Sequence, residues 1–240
     1  MTAAETLAPA ERARIARRAG LLYMLACIPA PFVMVYLPRR VFVAADASAT
    51  TERIRAAAEL IRIGVATEVW NCVLIVFAAF ALYRLFEEVD VGLASLLAVL
   101  MWVAAPIQLL NLVFTLATLL LTSSAPVARA FTKEQIDALA YLFWRLHAHG
   151  IQVAQIFWGL WLFPWGMLAL RSRFIPRWIG TAVIVAGCGY VVASMIALTA
   201  PRFGAIVPFA LALGAGELPM GIWLISRAGI PTRKPGAGGH

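Results

Sequence analysis

Charge is what this chain has least of. Asp, Glu, Lys and Arg make up 13% of its 240 residues, against about a quarter in soluble globular domains, so an ordinary water-facing surface is excluded. Cysteine is scarce as well. Cys27, Cys72 and Cys188 lie far apart inside apolar runs, which matches neither a disulfide framework nor a zinc-binding spacing. Of three histidines, His147 and His149 share one segment and His240 ends the chain. A haem held by histidines from two facing helices is therefore excluded. No G-x-S-x-G, no G-x-x-x-x-G-K and no strand-flanked glycine fingerprint occurs. Serine hydrolase, P-loop and dinucleotide chemistries thus have no anchor. An enzyme becomes the minority reading, and no cofactor is expected.

What the chain has in quantity is apolar length. It is 62% hydrophobic, with a mean hydropathy of +0.86, the composition of an all-α, polytopic membrane bundle. Six runs can cross a hydrocarbon core of about 30 Å at about 1.5 Å per helical residue. They lie near 20–37, 63–86, 91–121, 139–170, 178–199 and 203–225. One six-helix domain over 1–226 is expected, followed by a disordered basic tail, 227–240. Arg12, Arg14, Arg17 and Arg18 before the first run resemble a signal-peptide n-region. No small-residue cleavage site follows, so an uncleaved first helix is the reading. The net charge of +8 comes from arginines at the ends of apolar runs. That pattern suits anionic lipid head groups rather than nucleic acid. With the N-terminus inside, the inner side receives eleven Lys and Arg residues and the outer side eight. Both termini are accordingly expected in the cytoplasm, with the bundle in the cell membrane.

Between the runs, 38–61 is the longest connection. Ile54, Leu60 and Ile61 among Glu52, Arg53, Arg55 and Glu59 predict a short amphipathic helix on the outer surface, capped by Ser48, Thr50 or Thr51. The stretch 122–137, with Ser123, Ser124 and Pro126, reads as a loop.

Helical spacing sorts the polar residues inside the membrane. Gln108, Asn111, Thr115, Thr118 and Thr122 follow steps of three and four and share one face, as do Gly64, Glu68 and Asn71 in the second run. In the sixth run, Glu217 shares a face with Ala210, Gly214 and Gly221. Pro208 and Pro219 are expected to bend that helix, Pro219 freeing a carbonyl for a neighbour or water. The fourth run carries Arg145-Leu146-His147-Ala148-His149-Gly150. At about 100° per residue, Arg145, His149, Gln152 and Gly159 fall on one face, with His147, Gly150, Ala154 and Trp158 nearly opposite. This helix is expected near the bundle centre.

Glu68, Asn71, Gln108, Asn111, Arg145, His147, Gln152 and Glu217 form the candidate polar cluster. Glu68, Arg145, His147 and Glu217 are expected to meet in the interior, Glu217 nearest mid-membrane and the rest in the outer half. Gly150, Ala154, Gly187, Gly189 and Gly214 read as close-packing positions. His147 and His149 point apart and cannot chelate one ion together. Only a site from His147, Glu68 and Glu217 would leave an intramembrane metal enzyme open, and no metal is expected. Each polar group also has a plain structural reading: Arg145 snorkelling or pairing with Glu68, His147 as an interhelical hydrogen-bond partner. Two function classes follow. One is a structural, sensory or interaction protein whose polar cluster specifies packing; the other is a small-solute or proton-coupled transporter using Glu68, Arg145, His147 and Glu217.

Leu146-His147-Ala148-x-Gly150, then Phe157-x-Gly159, Gly166, Arg171-Ser172, Pro176 and Gly187-Cys188-Gly189-Tyr190, resemble the C-terminal half of the prokaryotic membrane family called domain of unknown function 4386. Ala13-Arg14-Ile15, Ala19-Gly20-Leu21-Leu22-Tyr23, Arg62-x-Gly64 and Gly216-Glu217 with Trp223-Leu224 extend the resemblance over nearly the whole chain. It implies a helical integral membrane protein of unassigned activity. His147, Gly150, Asn111 and Glu217 match the family's polar and glycine pattern, whereas His149 falls where the family is expected to vary.

Overall fold

The computed structural model describes residues 8–226. The expected basic tail, with Arg227, Arg233, Lys234 and His240, lies outside the described residues. The rest is helical: α1 (Pro9–Cys27), a π-helical turn (Phe32–Tyr36), α2 (Leu37–Val41), α3 (Ala47–Ala56), α4 (Ala58–Phe86), α5 (Val91–Ser123) and α6 (Ala125–Ala130). After these come α7 (Lys133–Arg171), α8 (Arg177–Thr199), a 3-10 turn (Pro201–Ile206), α9 (Val207–Ala212), a second 3-10 turn (Leu213–Glu217) and α10 (Leu218–Ser226). Among the described residues there is no strand, and six helices are long and apolar enough to cross a membrane.

Lipid tails are as apolar as leucine, so close approach of backbones rather than hydrophobic burial must hold such helices together. The packed faces are accordingly rich in small residues. In α1, Ala16, Ala19, Tyr23 and Ala26 are buried at steps of three and four, and α4 and α5 add Ala78, Ala79, Ala94, Ala98 and Ala104. Trp165 fills the centre and meets Tyr23 edge-on at 4.7 Å and 70°, a pairing that contributes about 0.5–1.5 kcal/mol beyond burial. Large apolar side chains such as Phe77, Phe80, Leu110, Leu120 and Phe209 stay exposed, as lipid-facing residues must.

The fourth span is the most enclosed. In its most apolar window 56% is buried, against 22–39% in the other five. It is also far too long. The 39 residues of α7 extend about 58 Å, nearly twice a hydrocarbon core of about 30 Å. Its first three turns join α3 in a second small core, where Ile54, Ala140 and Trp144 meet Leu37, Ile61 and Leu119 of the first three spans. Lys133 Nζ ties this layer together, reaching Asp137 at 2.7 Å and Ser48 at 2.9 Å. At the opposite end, where α1 begins and α10 ends, the α4–α5 turn is held by Arg12 to Glu88 at 2.9 Å and by Arg171 to Asp90.

Three local expectations are corrected. The cap of α3 is Asp46, whose carboxylate accepts from Ala49 N–H at 2.8 Å. Thr50 and Thr51 are buried instead and donate back to the carbonyls of Asp46 and Ala47. The loop at 122–137 is shorter than expected. It contains α6, and α7 starts at Lys133 because Thr132 and Gln135 form a reciprocal capping box. Finally, Pro208 and Pro219 sit in the first turns of α9 and α10, where a missing N–H costs little. The carbonyl that Pro219 leaves free, Ala215, accepts from Leu218 N–H. The span is irregular before Pro208, in the 3-10 turn through Phe203, and between the prolines, in the 3-10 turn that ends on Glu217.

Candidate functional site

Two polar centres form inside the bundle. In the first, α4 presents Glu68 to α7, and Glu68 Oε1 stands 3.6 Å from His147 Nε2. His147 is held from α5. Asn111 Nδ2 donates to the His147 carbonyl at 2.9 Å and lies 3.2 Å from its Nδ1. Asn111 reaches that far because residue 150 is glycine: a Cβ there would collide with the Asn111 carboxamide. Glu68 Oε2 is buried with no hydrogen-bond partner among the described residues, and the same holds for Thr115 Oγ1.

The second centre surrounds Glu217, about 14 Å from the end of α10 at 1.5 Å per residue. Tyr190 donates its hydroxyl to Glu217 Oε1 at 2.9 Å, and Tyr23 donates to Oε2 in a very short contact. Both carboxylate oxygens are thereby occupied. Gly214 makes room for the Tyr190 ring, which a Cβ would strike.

The first span loses its regular ladder beside this centre. Pro29 and Pro31 have no N–H to donate, and the helix passes through a turn at Ile28–Pro29 into the π-helical turn. In i→i−4 pairing these prolines withhold donors from the Leu25 and Cys27 carbonyls, and the Ala26 carbonyl between them takes a side-chain donor. Asn71 Nδ2 supplies one to the Ala26 carbonyl at 2.8 Å, while Asn71 Oδ1 accepts from Gln108 at 3.3 Å.

Two cavities join these parts. One, of about 280 Å³, runs between the two irregular stretches, touching Pro29 to Pro31 on one side and Gly214, Ala215 and Glu217 on the other, with Tyr23, Trp158, Trp161 and Tyr190 in its wall. The other, of about 300 Å³, is lined by His147, Thr115, Gln152 and Gln155. Val33, Met34, Ile151 and Glu68 belong to both linings. Glu68 thus stands at their boundary.

Arg145 does not join the cluster. It is exposed and lies over the Phe42 ring at 5.9 Å. It lies two residues from His147, about 200° round α7 at about 100° per residue, so it points away from the face that meets Glu68. Glu68 and His147 meet; Glu217 shares a cavity with Glu68 but is bonded to the tyrosines. Among the described residues no three of His, Cys, Asp and Glu are arranged to hold a metal ion. Asn71, Gln108 and Asn111 bridge spans as described. Gln152 faces the second cavity and bonds His149 Nδ1 at 3.0 Å. Of the packing positions, Ala154 is buried, Gly187 abuts the Gly159 carbonyl, and Gly189 abuts that of Ala210. Sequence reading missed Tyr23, Tyr190, Trp158, Trp161 and Gln155 as site residues, and Pro29 and Pro31 as the break. Tyr23 carried a signal, being the one large residue in a stripe of alanines.

A six-helix membrane protein with a polar centre and partly open cavities between irregular spans is the class these features define. The chain belongs to the family described as Domain of unknown function (DUF4386), which matches residues 18–228. It is also similar to an uncharacterised protein of Archaeoglobus fulgidus, 27% identical over 75 residues. That stretch covers 31% of this chain and 44% of the archaeal protein, so the match takes in less than half of the relative. No solved structure matches.

Proposed function

We propose that this protein binds a small solute in the bundle interior and carries it across the membrane, with the solute between the first and sixth spans and Glu68 at the passage from one cavity to the other. The supporting observation is the pair of cavities sharing Glu68, placed where two spans depart from the α-helical ladder. Irregular backbone at membrane depth is tolerated only where protein buries it or where it lines a cavity, and carriers place their sites at such interruptions. A cluster that only specified packing would close its polar groups on each other. Among the described residues the second Glu68 oxygen and the Thr115 hydroxyl are buried without a partner, and both residues line cavities. The surplus of basic residues on the side of the chain ends supports a cytoplasmic face there, with the bundle in the cell membrane.

The test is access. Thr67 lines the first cavity and is half-buried. With Cys27, Cys72 and Cys188 replaced by alanine, Thr67→Cys is exposed to a membrane-impermeant thiol reagent on sealed vesicles of each orientation. Labelling from both faces is expected. Labelling from one face only, or from neither, overturns the carrier reading.

A further inference from the structure

We propose that the solute is a small amphiphilic organic cation: a protonated amine on a compact apolar body. This rests on the reading that the cavities hold a solute. The first ground is charge. Among the described residues the first cavity is lined by Glu68 and Glu217 and by no lysine, arginine or histidine; the second adds only His147. An anionic solute would meet two acids and no fixed positive charge.

The two acids are not equivalent. Glu217 has a tyrosine hydroxyl on each oxygen. Glu68 is 6% exposed, keeps one oxygen near His147, and leaves Oε2 buried without a donor. A buried acceptor left unpaired is costly, and hydrogen bonds to charged groups are the stronger ones. An ammonium in the cavity beside Glu68 brings the opposite charge and, as the carboxylate turns toward it, the missing donor.

The wall points the same way. Trp158 and Tyr190 meet at 88° with centroids 6.3 Å apart, giving two adjoining aromatic faces, and Trp161 and Tyr23 complete the lining. Cations are attracted to such faces within about 6 Å, most strongly to tryptophan. A cavity of about 280 Å³ lies just below the roughly 300–1,000 Å³ typical of ligand sites, which sets the compact body.

The experiment titrates the intact protein, in nanodiscs of uncharged phosphatidylcholine, with 2-phenylethylamine, 2-phenylethanol and 3-phenylpropionate. These three probes share an apolar body and differ in head charge. Tryptophan fluorescence is the readout and empty discs are subtracted. The amine is expected to bind about tenfold more tightly than the alcohol, a gap of the size charge-assisted hydrogen bonding gives, with the propionate weakest. Glu68→Gln should remove the preference for the amine over the alcohol. If the alcohol or the propionate binds as well as the amine, the inference falls and solute binding stands. If no probe binds, the inference falls too, and two-sided labelling at residue 67 then decides whether the carrier reading falls with it. The wild-type comparison needs no variant, so a misfolded Glu68→Gln protein leaves the test intact.

Discussion

Replacing Gly150 with alanine puts one methyl group where the Asn111 carboxamide now lies. The backbone of α7 cannot yield easily, because it is packed on α5 and α8 along its length. Asn111 must therefore rotate away. It then loses its 2.9 Å bond to the His147 carbonyl and its 3.2 Å approach to Nδ1. The hydrogen bond is worth about 0.6 kcal/mol on average between membrane helices, about 1.7 at most. Forcing a methyl into a filled space costs about 1–3 kcal/mol. Alanine returns up to about 1 kcal/mol through its higher helix propensity. The sum is a destabilisation of about 1–3 kcal/mol for Gly150→Ala. Asn111→Ala removes the obstacle, so in that background Gly150→Ala should be close to neutral or mildly stabilising. The assay is unfolding in mixed micelles with increasing dodecyl sulfate, followed by circular dichroism for wild type, both single variants and the double. Independent sites add to within about 0.5 kcal/mol. Additivity within that margin would refute the claim that residue 150 is glycine in order to admit Asn111.

Two further outcomes are open to the same unfolding assay. Arg145→Ala should cost no more than the 0.5–1 kcal/mol, roughly, of an exposed cation–π contact, since the guanidinium only overlies Phe42; a loss of several kcal/mol would place Arg145 in a buried ion pair after all. Asn71→Ala should cost about 1–3 kcal/mol, because it strands the Ala26 carbonyl beside two prolines, and an unchanged stability would mean that another donor satisfies that carbonyl.

Periodicity made one part of this site readable and topology hid another. The stripe Gln108, Asn111, Thr115 and Thr118 lies on a regular helix, so steps of three and four in the sequence became one buried face. Glu68 and Asn71 followed for the same reason. The tyrosine clasp on Glu217 is different: Tyr23 is 194 residues away from it, and no local pattern links the first span to the last. Arg145 was misplaced because its charge was weighed above its helical face: the same periodicity that brings His147 to Glu68 turns Arg145, two residues away, to the other side of α7. Pro29 and Pro31 were visible, but their effect depends on a donor, Asn71, that only packing brings within reach.

The two buried acids separate what stabilises this bundle from what it offers to a ligand. An intramembrane carboxyl survives if neighbouring groups complete its hydrogen bonds, and Glu217 is completed by tyrosines from the first and fifth spans. Such a group fixes how those spans meet, and replacing it perturbs packing first. Glu68 has one oxygen within 3.6 Å of His147 and the other unpartnered at the boundary of two cavities. Packing alone gains nothing from that arrangement, since an apolar residue of similar size would avoid the desolvation cost altogether. The cost makes sense if something that enters the cavity completes Glu68. A change at Glu217 should therefore register mainly in stability, and a change at Glu68 mainly in which solute the cavity accepts.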